Sequence, residues 1–299
     1  MKKILLLLAI VATTLTVEAQ ESFKFGKVTK ADLLKTDCPI AAGADAVVLD
    51  ELQQTIFYRT SHDRNWLFKE DGHMSVSYTT ISRKLKILHP EGSRHAKVYV
   101  DCYYSDKEYY PMHTVESISA IEAYSYILRN GKVVKSKLND KDVKATILND
   151  TTARVEFTIP NVCNGSIIEY EYSLLKQSVR TYCIDFPMQH DIPVLSSQCV
   201  VAVDKSIPSV KMREDNWYGI VKSGNNLINT TQTDGVYIFQ PRPASTHIYQ
   251  KIEIGMGSID RIKSNCKMYH FSSENLPAVP VNAIKDDVAA IKVILFEDK

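Results

Sequence analysis

The chain has 299 residues, 44% of them hydrophobic and 24% charged, with only 11 Gly and 11 Pro. This is ordinary globular composition and excludes a collagen-like, low-complexity or disordered polypeptide. Thirty-six Lys and Arg against 35 Asp and Glu leave a net charge of +1, too balanced for the basic footprint that displaces counterions from a phosphate backbone, so nucleic acid is not an expected partner.

In chain order, Lys2 and Lys3 precede the apolar run Ile4 to Val11, and Val17-Glu18-Ala19 follows. Charged start, apolar middle and small-residue cut are the three parts of a secretory leader, here residues 1–19 with cleavage after Ala19. The run is too short to span a bilayer, which needs about 20 residues, and no later segment is apolar enough to cross one. The sequence therefore predicts an exported chain, periplasmic or extracellular in a Gram-negative envelope, with no transmembrane segment after leader removal. Residues 20–43 read as a lead-in, residues 44–280 as the folded domain, and residues 281–299 as either a last strand or the remnant of a link to a further domain. Ala31 to Leu34 and Asp45 to Leu52 read as brief helical or irregular segments, and Val115 to Tyr124 suits helix and strand equally.

Between these, two-residue alternation dominates. Ala96, Val98, Val100, Cys102 and Tyr104 share one face of a strand, and Lys97, Tyr99, Asp101 and Tyr103 the other. The pattern returns around residues 74–88, at Ala153 to Ile159, Ile168 to Tyr172, Cys199 to Val203, Val236 to Ile238 and Ile262 to His270. Asn130-Gly131 is a strong hairpin signal, because both central residues of a type I′ turn need positive φ. Asp71-Gly72, Asn164-Gly165 and Asp234-Gly235 punctuate the chain similarly. Pro241 to Pro243 and Pro277 to Pro280 are the plausible seams. Many strands and almost no amphipathic helix predict an all-β, antiparallel sandwich.

Chemistry is harder to find. Cys38, Cys102, Cys163, Cys183, Cys199 and Cys266 include no CxxC pair, which removes the usual redox and zinc-ribbon readings. Cys102, Cys199 and Cys266 fall on apolar strand faces, favouring buried thiols over bridges, though an exported chain permits either. Eight dispersed histidines, without HExxH or an EF-hand loop, support neither a metal site nor a cofactor. Cys163 sits at a strand-turn-strand junction with no helix N-terminus or adjacent cation to activate it, so it reads as a loop cysteine. The aromatic run containing Tyr103, Tyr104, Tyr109 and Tyr110 is the candidate ligand-binding stretch, since tyrosine offers a large stacking area at low entropic cost. Strand-end packing around Pro111 is the plainer account of it.

Several segments, in their order, resemble the domain-of-unknown-function family 3857. They are Ala44-Asp45-Ala46-Val47-Val48-Leu49, Lys86-Ile87-Leu88 with Gly92 after it, Asn130-Gly131-Lys132, and Pro160-Asn161-Val162 leading to Gly165-Ser166-Ile167-Ile168-Glu169-Tyr170. Phe186, Gln189, Ile192-Pro193-Val194 and Ser197 follow, and Asn275-Leu276-Pro277-Ala278 resembles the segment that leads into the next domain. The resemblance implies a β-sandwich in exported bacterial proteins, commonly just ahead of a transglutaminase-like domain whose catalytic Cys, His and Asp lie downstream. It carries no catalytic role onto Cys163. The leading functional expectation is thus a non-catalytic module that binds or positions a peptide, protein or glycan, as accessory to a transglutaminase-like or protease partner. Its rivals are a cysteine hydrolase or acyl transferase assembled only in three dimensions, and a glycan-binding sandwich using Tyr103 to Tyr110.

Overall fold

The computed structural model describes residues 23–61, 73–103, 115–178, 182–205, 207, 218–239, 247–249, 252–254, 262–279 and 288–295. The leader 1–19, Asp71-Gly72, Tyr104, Tyr109, Tyr110, Pro241 to Pro243 and Pro280 lie outside these residues. The strands are β1 (Ala46–Ser61), β2 (His73–Ile87), β3 (Lys97–Tyr103), β4 (Val115–Arg129), β5 (Lys132–Lys137), β6 (Val143–Asn149), β7 (Thr152–Thr158) and β8 (Ile167–Ser178). They continue with β9 (Tyr182–Pro187), β10 (Val194–Asp204), β11 (Tyr218–Ser223), β12 (Asn229–Phe239), β13 (His247–Tyr249), β14 (Ile252–Ile254), β15 (Ile262–Leu276) and β16 (Ala290–Leu295). Among the described residues one short α-helix, α1 (Lys30–Leu33), is capped by Thr29 and Asp32 in a reciprocal capping box.

The fold is the all-β sandwich that the alternation predicts. Eight strands form one sheet in the order β12-β15-β10-β1-β2-β8-β4-β5, and β3-β7-β6 and β11-β16-β9 form two three-stranded sheets. Pairing is antiparallel among the described strands except between β1 and β10, which run parallel with Glu51 opposite Ser197 and Gln53 opposite Cys199. That pair departs from the purely antiparallel expectation. Its strands lie far apart in sequence, and β1 needs a partner on the side away from β2.

The principal core joins one face of the large sheet to both small ones. Val98, Val100, Val155 and Phe157 come from the first small sheet, Phe186, Ile291 and Val293 from the second, and Val48, Phe57, Leu85, Ile168 and Val201 from the large sheet. The other face packs Ile56, Tyr78, Ala202 and Phe239 in one cluster, while Leu33 of α1 covers Tyr126 and Ile167. A sheet covered on both faces loses its alternation, which explains one misreading and one ambiguity.

Asp45 to Leu52, expected to be helical or irregular, belongs largely to the central strand β1. Ala46, Val47 and Val48 are all buried, and the β1–β2 register shifts between Val48 and Asp50, so neither face shows period two. The ambiguous Val115 to Tyr124 segment is strand β4, with Ala120 at φ 52° where its pairing to β8 skips. By contrast β3 and β7 alternate as predicted, one face wet and one dry. Asn130 and Gly131 adopt φ of 49° and 73° between β4 and β5, as the type I′ turn requires. Val236 and Ile238 face solvent in β12, whose inward residues include Tyr237 and Phe239, and Asp234-Gly235 lies within that strand rather than at a turn. Near the C-terminus, β16 is the middle strand of its sheet.

Candidate functional site

The register of five strands lays one polar row across the inner face of the large sheet. Ser273 of β15 lies beside Ser197 of β10, then Glu51 of β1, Arg83 of β2 and Tyr170 of β8. The Glu51 side chain is 0% exposed and that of Arg83 20% exposed. Burial of such a charge is costly unless it is paired and hydrogen-bonded, and both conditions are met. Arg83 Nε donates to Glu51 Oε2 at 2.5 Å, and Arg83 Nη2 pairs with the same oxygen. Ser197 Oγ donates to Oε1 at 2.9 Å and Gln53 Nε2 at 3.3 Å, while Gln53 Nε2 also reaches the Pro187 carbonyl at 2.7 Å.

The loop between β9 and β10 lowers His190 onto this pair. Its Nε2 lies 2.9 Å from Glu51 Oε2 and 3.0 Å from Arg83 Nη2. One tautomer donates to the carboxylate and the other accepts from the guanidinium. The loop is itself pinned. Gln189 Nε2 donates to the Pro277 carbonyl at 2.8 Å, Gln189 Oε1 accepts from the Ala289 amide at 3.1 Å, and the Val279 amide donates to the His190 carbonyl at 2.7 Å.

Electrostatics follow from this geometry. Burial pushes the Glu51 carboxyl up, but the charges of Arg83 and His190 and the bonds from His190 and Ser197 outweigh it and hold its pKa at about 2. Burial alone would lower Arg83, yet the Glu51 charge raises it instead. Burial raises Tyr170 despite the opposing Arg83 charge, so its phenol stays protonated. Cys199, one row away opposite Gln53, is raised by burial and by the negative charge of Glu51. A thiol so placed is a poor nucleophile at neutral pH.

A pocket of about 200 Å³ opens over the network, walled by Arg83, Tyr170, His190, His95, Lys97 and Asp191, with Tyr99 beside them. A shallower depression of about 680 Å³ adjoins it, floored by Ala41 to Asp45, and the two share Asp191 and Ile192. His95 comes from the 3₁₀ turn Pro90–Ala96, and its Nε2 is buried with no hydrogen-bond partner among the described residues. Burial, then the neighbouring Arg94 charge, lower its pKa, which keeps the ring neutral.

The aromatic stretch singled out in the sequence is not part of this pocket as far as it is described. Tyr103 ends β3, where its amide donates to Glu116 Oε2 at 2.6 Å. Tyr104, Tyr109 and Tyr110 lie outside the described residues. Cys163 sits in its turn with its amide donating to Ser166 Oγ at 2.9 Å and the serine hydroxyl donating back to its sulfur at 3.4 Å. All six cysteines are free thiols, four of them buried and Cys163 and Cys183 exposed. No group of three or more metal-ligating side chains gathers among the described residues. Glu51, Arg83, Tyr170 and His190 were missed as a group. The available signal was Arg83, which shares a strand phase with the apolar Leu85 and Ile87.

No protein-family model matches the chain, and no curated protein matches it. Among solved structures it is similar to a putative protease from Parabacteroides distasonis, with a TM-score of 0.52, 12% identity, and coverage of 84% of this chain and 40% of that one. The chain thus spans less than half the length of that protein, and at this identity the likeness is one of fold alone. A putative nutrient binding protein from Legionella pneumophila aligns with a TM-score of 0.29 and 8% identity, over 85% of this chain and 67% of the other.

Proposed function

We propose that the chain is a non-catalytic β-sandwich module of an exported protein. On this reading it is related to domain-of-unknown-function family 3857 and binds or positions a peptide, protein or glycan in the cell envelope, beside a transglutaminase-like or protease partner. The observation that carries the proposal is the closure of the interior network. Glu51 is held ionised by Arg83 and His190, so the carboxylate that would orient a catalytic imidazole is committed to a guanidinium. The thiol near it, Cys199, is pushed away from the reactive thiolate form. The fold shared with part of a longer putative protease supports a modular, accessory role.

The test is alkylation of the purified native chain with iodoacetamide across pH, read by mass spectrometry, beside assays of peptide cleavage and cross-linking. The exposed Cys163 and Cys183 label, the buried Cys102, Cys199 and Cys266 stay protected, and peptides are left intact. Peptide turnover that disappears in Cys163→Ala or Cys199→Ala defeats the proposal.

A further inference from the structure

The geometry points to a site for the C-terminal carboxylate of an extended peptide, formed by Arg83, Tyr170 and His95 in the small pocket, with the preceding residues in the adjoining depression. For the choice of a peptide this rests on the binding role proposed above, and it adds the group that is recognised.

The argument is a count of donors. Arg83 has five N–H groups in a planar fork. One on Nε and one on Nη2 go to Glu51, the other on Nη2 faces His190, and one on Nη1 donates to the Tyr170 hydroxyl at 3.0 Å. The second Nη1 hydrogen has no partner among the described residues. Tyr170 accepts from Arg83 and retains its own phenolic proton to donate. His95 Nε2, buried without a partner among the described residues, is a third group awaiting one, and it donates in the tautomer that carries the proton on Nε2. All three residues wall the same pocket. A buried polar atom left unpaired costs about 1–3 kcal/mol, so His95 Nε2, in a cavity walled also by two residues with a spare hydrogen each, favours a ligand with matching oxygens.

Size and position narrow the ligand. At about 200 Å³ the pocket lies below the roughly 300–1,000 Å³ of sites for drug-sized molecules, and it suits a terminal group better than a whole one. A planar carboxylate takes donors from two sides, as guanidinium and phenol offer. The depression beside it, about 680 Å³ and lined by small residues from Ala41 to Ala44, has room for the backbone that would carry that carboxylate. Asp191 stands on the shared wall and is exposed. It repels a carboxylate, which gives the inference a signed test.

The full chain is titrated calorimetrically with trialanine as the free acid, with trialanine C-terminal amide, and with acetate. The free acid binds saturably at millimolar concentration or better, and the amide and acetate each bind at least tenfold more weakly. Tyr170→Phe, which removes only the hydroxyl, weakens the free acid roughly tenfold. Asp191→Asn tightens it about threefold by removing a like charge, and this exposed position reports even if Tyr170→Phe fails to fold. Equal binding of acid and amide overturns the carboxylate, acetate binding as well as the peptide acid overturns the peptide, and no saturable binding overturns the site. Cleavage of the peptide would instead defeat the non-catalytic reading while leaving the carboxylate preference to be read from binding to the intact acid.

Discussion

Glu51→Gln keeps the shape of the buried side chain and removes its charge. The guanidinium of Arg83 then remains inside the sandwich with its counter-charge gone, and such half-broken buried pairs typically cost about 3–5 kcal/mol. The proton linkage of the same group gives a comparable size. Its pKa falls from the usual 4.5 to about 2 in the folded chain, a difference worth about 3 kcal/mol at neutral pH. Because the folded value is the lower one, this stability is present above about pH 4.5 and is lost as pH falls towards 2. Urea denaturation of wild type and Glu51→Gln, followed by circular dichroism at several pH values, measures both effects. At pH 7 the variant is about 3 kcal/mol less stable, a drop in melting temperature on the order of 5 °C for a chain of this size. Between pH 5 and 2 its stability falls less steeply than that of wild type. Adding Arg83→Gln to complete a double-mutant cycle recovers part of the loss. A Glu51→Gln protein with wild-type stability at pH 7 and an unchanged acid slope would refute the reasoning.

Three further outcomes follow from the same geometry. Gly92→Ala lowers stability by about 1–3 kcal/mol in urea denaturation. Its new Cβ would press on the Asp45 carbonyl, with the carbonyl carbon at 2.9 Å, and that oxygen is already fixed by the Leu88 and His89 amides. Lys86, 1% exposed and bonded at 2.6 Å to the carbonyls of both Leu33 and Gly165, has its pKa pushed down by burial to about 8. Its side-chain NMR signal titrates near pH 8. Since the unfolded chain holds that proton up to about 10.5, stability gains from this group as pH rises from 8 to 10.5, and Lys86→Met abolishes both signatures. Gly131→Ala costs about 1 kcal/mol in thermal denaturation, because φ 73° is left-handed and a Cβ strains it.

How much of this could be read in advance depended on how each strand meets solvent. In β3, Val98, Val100 and Cys102 are buried between exposed Lys97, Tyr99 and Asp101, and the alternation is visible in the letters alone. In β1, Ala46, Val47 and Val48 are all buried because small sheets cover one face and the N-terminal segment the other, so the period that identifies a strand vanishes. The Asn130-Gly131 turn was legible because its backbone demands particular residues. Asp234-Gly235 misled because the same two letters also fit inside a strand that faces solvent.

The pocket was hidden for a different reason. Glu51 meets Ser197 across 146 residues and His190 across 139, and the Ser197 contact exists only because β10 joins β1 in parallel. No local pattern encodes such a pairing. What the sequence did carry was a set of positions whose side chains fit no simple scheme, notably Arg83 in phase with Leu85 and Ile87, and Glu169 buried on the face opposite Tyr170. A charge in the apolar phase of a strand is tolerable only if a partner waits for it across the sheet. Here that partner occupies two of the arginine's five donors, the tyrosine takes a third and a fourth faces the histidine, and the one that remains has no partner among the described residues on a side chain that walls the pocket. The same arithmetic that makes the network stable therefore leaves one N–H of Arg83 for a ligand, which is why Glu51→Gln and Tyr170→Phe have different consequences. The first disturbs the fold throughout the acid range, while the second leaves the ion pair whole and alters what the pocket can hold.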